Sequence, residues 1–136
     1  MDALGHHVLL ELYGCDAFVL NDTKKIKDIL TEAALLANAR IVETAFHRFS
    51  PHGVSGVVII AESHLSVHTW PEYEYAAIDI FTCGEDIRAD LACNHIISKF
   101  RAKSSAMVEM KRGVIPTANE YAGAVTQREE VLACKR

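Results

Sequence analysis

No apolar run in this chain is long enough to cross a bilayer: the longest strongly apolar stretch, Val57 to Ala61, falls far short of the roughly 20 residues a spanning helix needs. The start, Met1-Asp2-Ala3-Leu4, has no basic region leading into an apolar stretch, and these two absences set the expectation of a soluble, cytoplasmic protein. Positive charge is short as well. Fourteen Lys and Arg stand against eighteen Asp and Glu, a formal net charge of −4, and nowhere do basic residues interleave with aromatics, which speaks against nucleic-acid binding. Cys15, Cys83, Cys93 and Cys134 include no C-x-x-C pair, so disulfides are not expected. His64 and His68 have no second pair at a familiar ligand spacing, and no metal is expected either.

What is present is apolar material for one core: half of the 136 residues are hydrophobic, which fits a single domain. Val8, Leu10 and Leu12 alternate with other residues up to Gly14 and predict a first strand. From Asp22 the period lengthens, and Ile26, Ile29, Leu30, Ala33, Ala34 and Ala37 line one side of a helix that Asn21, Asp22 or Thr23 can cap. Ile41 to Phe49 and Val54 to Ala61 read as strands joined through Ser50-Pro51-His52-Gly53. Extended segments follow from His64 to Trp70 and, after Pro71-Glu72, from Tyr75 to Phe81. Asp86 then caps a second helix carrying Ile87, Leu91, Cys93, Ile96, Ile97 and Phe100, and Met107 to Met110 gives a last strand. The expected fold is α+β, a two-layer α/β sandwich whose largely antiparallel sheet carries two helices on one face. Several strands are apolar on both sides, so a second copy is expected on the other face, giving a homodimer. Residues 117–136 form a polar C-terminal tail, with a short helix predicted around Gln127 to Ala133.

The stretch from Glu62 to Gly84 crowds hydroxyl, imidazole and thiol groups together: Ser63, His64, His68 and Cys83. They include a nucleophile, a base and a proton donor, if folding unites them. Alternation puts His64, Ser66, His68 and Trp70 on one face of a strand, and Tyr75, Ala77, Asp79, Phe81 and Cys83 on one face of the next, so His68 and Cys83 can oppose one another. Taken singly, each His or Cys is more often a packed residue than a reactive one. Collected in strands that otherwise look buried, such groups must find partners or do chemistry. A serine hydrolase does not fit. Asp79 can orient His68, but Ser63 lies in E-S-H without the G-x-S-x-G elbow, and no glycine-rich oxyanion loop is evident.

The run Ala61-Glu62-Ser63-His64-Leu65-Ser66-Val67-His68-Thr69-Trp70-Pro71-Glu72, with Tyr75 to Gly84 ending in Phe81-Thr82-Cys83-Gly84, strongly resembles the short prokaryotic S-adenosylmethionine decarboxylase proenzymes. The likeness covers roughly Gly5 to Gly113 and includes Gly53-Val54-Ser55-Gly56. It implies a single pyruvoyl-dependent decarboxylase domain over residues 1–116, self-cleaved between Glu62 and Ser63. Ser63 would attack the preceding carbonyl, and the resulting ester would be eliminated to leave a pyruvoyl group at residue 63. By the same resemblance His68 is the processing base, Ser55 a possible processing aid and Cys83 the proton donor in turnover. Phe49 and Trp70 would bind the adenine or the sulfonium, and Glu72 the ribose hydroxyls. The pyruvoyl ketone, formed from Ser63, takes the place of pyridoxal phosphate as electron sink.

The reading that follows is decarboxylation of S-adenosylmethionine to the aminopropyl donor for spermidine synthesis. The same machinery acting on arginine or ornithine is the nearest alternative. A homologue that binds but never matures is a third, against which the intact Ser63, His68 and Cys83 argue.

Overall fold

The computed structural model describes residues 3–115; the tail at 117–136, its predicted helix at 127–133 and Cys134 lie outside them. Apolar–polar alternation builds β1 (Ala3–Tyr13), in which Val8, Leu10 and Leu12 are buried while Leu9 and Tyr13 are exposed. A four-residue helix, α1 (Ala17–Leu20), follows and was not expected from the sequence. The Asp16 carboxylate accepts from Phe18 N–H and Val19 N–H and so starts it. Asp22 accepts from Lys25 N–H and caps α2 (Thr23–Leu36), which buries Ile26, Ile29, Leu30, Ala33 and Ala34, as its periodicity predicts.

The strands β2 (Ile41–Arg48), β3 (Val54–Ile60), β4 (Ser63–Trp70) and β5 (Tyr75–Thr82) form an antiparallel meander. A single 3₁₀ turn at Pro71–Tyr73 joins the last two. α3 (Ala89–Lys99) and β6 (Ser104–Val114) complete a six-stranded sheet in the order β2-β3-β4-β5-β1-β6, with every pairing antiparallel. The core is the layer between the sheet and the two longer helices. There Leu65, Val67, Ile78 and Ile80 of the sheet join Leu30, Ala33, Cys93, Ile96 and Phe100 in one buried cluster. The α+β two-layer architecture is therefore as expected, with α1 added and the sheet wholly antiparallel.

Two elements differ from expectation by more than one residue at an end. α3 begins at Ala89, three residues beyond the predicted Asp86 cap, because the N–H of Arg88 is taken by the carbonyl of Ala37 at the end of α2. Residues 85–86 make a turn instead, and Leu91, assigned to the apolar side, is 38% exposed. β6 is longer than Met107 to Met110 and is exposed along its whole length, as befits an edge strand guarded by Glu109, Lys111 and Arg112.

The open face of the sheet is arranged in rows. One runs Val108, Leu9, Asp79, Ser66, Val57, Ala45; the row on one side of it is Met110, His7, Phe81, His64, Ile59, Glu43; that on the other is Ala106, Glu11, Ala77, His68, Ser55, His47. No described helix is long and apolar enough to cross a membrane.

Thr69 ties this sheet to the rest of the chain. Its buried hydroxyl donates to the Leu20 carbonyl at 2.7 Å and accepts from the Val54 N–H at 2.9 Å. Thr69→Val keeps the shape but leaves both backbone groups unpaired. It should lower stability by about 1–3 kcal/mol, read as a fall in the urea midpoint with an unchanged slope.

Candidate active site

Ile60 pairs with Ser63, so Ala61 and Glu62 are the two-residue loop of the β3–β4 hairpin. Such loops favour residues with positive φ, usually Gly or Asn, which neither position supplies. The left-handed residue is displaced to Ser63, at φ 134°, a region an L side chain rarely enters and which carries about 1–3 kcal/mol of strain.

Three hydrogen bonds hold the loop in place. The N–H of Cys83 donates to the Glu62 carbonyl at 2.8 Å, and the N–H of Ala61 to the Arg40 carbonyl at 2.8 Å. The Glu62 carboxylate in turn accepts from the Arg40 N–H at 3.2 Å. Gly84 permits the approach, for a Cβ there would sit 3.2 Å from Glu62 Cγ and 3.1 Å from Ile87. Ser63 is half-buried and Cys83 exposed.

Alternation is as expected: His64, Ser66, His68 and Trp70 lie on the open face, while Leu65, Val67 and Thr69 are buried. The expected opposition of His68 and Cys83 is not found. The register sets His68 against Ala77 and Ser63 against Thr82, which carries Cys83 to the Glu62–Ser63 end of the sheet. Asp79 does not orient His68 either. It accepts a hydrogen bond from Ser66 Oγ at 2.9 Å and lies 3.5 Å from His7 Nε2. The neighbour of His68 is Ser55, its partner in register, with Oγ 2.8 Å from Nδ1.

The remaining predicted residues gather around that pair. Phe49, Ser55, His68, Trp70 and Glu72 line one cavity of about 530 Å³. Phe49 and Trp70 are roughly half-exposed, and Glu72 is paired with His52 at 3.0 Å. Trp70 leans on Tyr75, with ring centroids 5.3 Å apart. The site residues thus fall into two groups at opposite ends of β4. Ser63 and His68 are five residues apart, roughly 16 Å at about 3.3 Å per residue.

Sequence reasoning missed a third cluster. His7, His64 and Phe81 share a row, and Arg112 lies over the Phe81 ring at 4.7 Å with its guanidinium 3.3 Å from His7 Nδ1. His64 is held below the ordinary histidine pKa, chiefly by burial and then by His7. Only the insertion of β1 between β5 and β6 assembles this group, and no local motif announces it. No group of three or more metal-ligating side chains occurs among the described residues.

The comparisons with known proteins agree with one another. The family model described as S-adenosylmethionine decarboxylase matches residues 6–113. An S-adenosylmethionine decarboxylase proenzyme of Acetivibrio thermocellus is 56% identical over 114 residues, 84% of this chain and 92% of that one. One from Thermodesulfovibrio yellowstonii is 53% identical over 88% of this chain and 89% of its own length. The crystal structure of the adenosylmethionine decarboxylase from Aquifex aeolicus superposes with a TM-score of 0.80 at 36% identity, covering 86% of this chain and 97% of that one.

Thiol reactivity should separate the cysteines of the described region. Burial, with Glu74 beside Cys15 and Asp90 beside Cys93, pushes both thiols up to about 11. At pH 8 each is therefore overwhelmingly protonated, and only the thiolate is nucleophilic. Iodoacetamide on the native protein should label Cys83 while leaving Cys15 and Cys93 intact until urea is added. Peptide mapping reads the result, and early labelling of Cys15 would contradict it.

Proposed function

This chain belongs to the S-adenosylmethionine decarboxylase family, and on that premise we propose that it is a self-processing enzyme that cleaves itself between Glu62 and Ser63. Ser63 becomes a pyruvoyl group, and S-adenosylmethionine is decarboxylated to the aminopropyl donor for spermidine synthesis. The observation that carries this reading is the hairpin loop itself. A serine in strained backbone follows a carbonyl already held by a hydrogen bond, with the only exposed thiol among the described residues one strand away.

Each residue has work suited to its place. Ser63 supplies the hydroxyl that replaces its own amide by an ester. His68 removes the Ser63 α-proton so that the ester leaves, and Ser55, 2.8 Å from the ring, holds that imidazole in position. Once formed at residue 63, the ketone would supply a carbonyl for the substrate amine and an electron sink for the loss of carbon dioxide. Cys83 then returns a proton to the substrate α-carbon. Phe49 and Trp70 offer ring faces to the adenine or the sulfonium, worth about 0.5–2 kcal/mol for a cation. Glu72, with two acceptor oxygens, suits the ribose hydroxyls.

The roughly 16 Å between Ser63 and His68 is too far for one chain to complete this site, and the homodimer supplies the remedy. A two-fold axis across the strands at the Ser66–Asp79 row would lay the open faces together with strands reversed. The partner's His68 row then lies over the row nearest Ser63. Leu9, Val57, Ile59, Val108 and Met110 provide the apolar surface such an interface needs. Residues 1–116 act as the single catalytic domain, and no role is assigned to the tail.

Mass spectrometry of the purified protein should find two chains divided before residue 63, the second blocked to Edman degradation. Carbon dioxide should come from carboxyl-labelled S-adenosylmethionine and not from arginine or ornithine; release from arginine alone would overturn the substrate. Ser63→Ala should remain one chain with no activity.

Complementation tests the shared site. His68→Ala alone should stall at an ester that hydroxylamine splits. Co-expression with Ser63→Ala should restore maturation of the His68→Ala chain, because each mixed dimer holds one site with both groups. Without such rescue, the two groups would have to meet within one chain.

A further inference from the structure

We propose that the backbone N–H of Cys83 is the oxyanion donor for self-cleavage, acting on a Glu62–Ser63 peptide that the fold already holds in its ring-closing conformation. The inference rests on the reading that this chain cuts itself, and it gives residue 83 a function separate from that of its thiol.

Attack by Ser63 Oγ on the Glu62 carbonyl closes a five-membered ring of that carbon with Ser63 N, Cα, Cβ and Oγ. A ring of this size requires Cβ to lie nearly eclipsed with the carbonyl carbon about the N–Cα bond. In an ordinary strand residue, at φ of about −120° to −140°, Cβ points far from that carbon and the hydroxyl cannot reach it. Chirality fixes the offset between φ and the direction of Cβ, so the observed φ of 134° brings Cβ within about 15° of eclipsing the Glu62 carbonyl carbon. The conformation that is strained for a strand is the one that ring closure needs.

The charge developed in that step falls on the Glu62 oxygen. As the Oγ–C bond forms, the carbonyl electron pair moves onto oxygen. When it returns, the C–N bond breaks, and the Ser63 nitrogen keeps that pair and gains the proton that Oγ has lost. Ester and free amine result with no added reactant. The one backbone donor aimed at that oxygen among the described residues is Cys83 N–H, at 2.8 Å. A donor preset where negative charge develops accelerates such steps by about 10²–10³-fold. The surroundings keep it aimed: the Glu62 carboxylate is pinned to the Arg40 N–H, and Gly84 leaves room for the Glu62 side chain.

The test removes that donor, and a second ester in the same loop controls for the side effects of the exchange. Cell-free translation can place the α-hydroxy analogue of cysteine at position 83, which keeps the thiol and turns the amide into an ester. A parallel chain carries lactic acid in place of Ala61, deleting the equally short Ala61–Arg40 bond of the same loop. Cleavage followed on gels should slow by about 10²–10³-fold in the first and by no more than about threefold in the second. The inference is wrong if the position-83 ester keeps pace with the native chain, or if both esters slow it equally, since the bond would then be merely structural. An all-amide chain that never cuts would remove the processing reading itself. Folding is kept apart by NMR of Ser63→Ala, which cannot cut. A scalar coupling across the hydrogen bond from Cys83 ¹⁵N to Glu62 ¹³C′ is expected, and its absence would also overturn the assignment.

Discussion

The register of β4 against its two neighbours is the constraint on which the rest depends. Leu65, Val67 and Thr69 are buried almost completely, and Thr69 is bonded to both Leu20 and Val54. A slip of one residue would turn that buried set to solvent and bury His64, Ser66 and His68 without partners. The same register seats Ser55 beside His68 and Cys83 beside Glu62. The chemistry on the open face is thus held in place by hydrophobic burial on the closed one.

Much of the scaffold could be read from residue order because local patterns and tertiary contacts agree there. α2 has a helical apolar period behind an aspartate that does cap it, and the meander strands alternate between clear breaks. The failures have a common cause. Asp86 has the look of a cap, but a bond between Arg88 and Ala37 decides where α3 begins. The charges near the end of β6 conceal an edge strand that needs no second apolar face, and α1 is a single turn made by one aspartate.

The candidate site was legible in kind but not in arrangement. Alternation assigns side chains to faces; it does not say which residues meet across strands. That is why His68 and Cys83, on matching faces, lie at different ends of the sheet. The His7–Asp79 contact and the Arg112–Phe81 stack were hidden more deeply, since they exist only because β1 is inserted between β5 and β6. The resemblance supplied roles for Ser63, His68 and Cys83, and the register supplies the separation that makes a second copy part of the proposed site.

The position of the proposed cut also follows from the sheet. Ala61 and Glu62 are the whole of the β3–β4 loop, so scission after Glu62 opens the tip of a hairpin and leaves the ladder from Ile59–His64 to Ser55–His68 in place. The two pieces remain neighbours in an antiparallel pair, and β4 stays between β3 and β5. Strain concentrated at Ser63 is borne only while the backbone is continuous, because φ of that residue is defined by the bond to Glu62. Breaking the bond releases it without disturbing the buried residues beneath. A scissile bond in mid-strand would have no such freedom: the pairing on both sides would hold the new ends in register, and any rearrangement would reach the core.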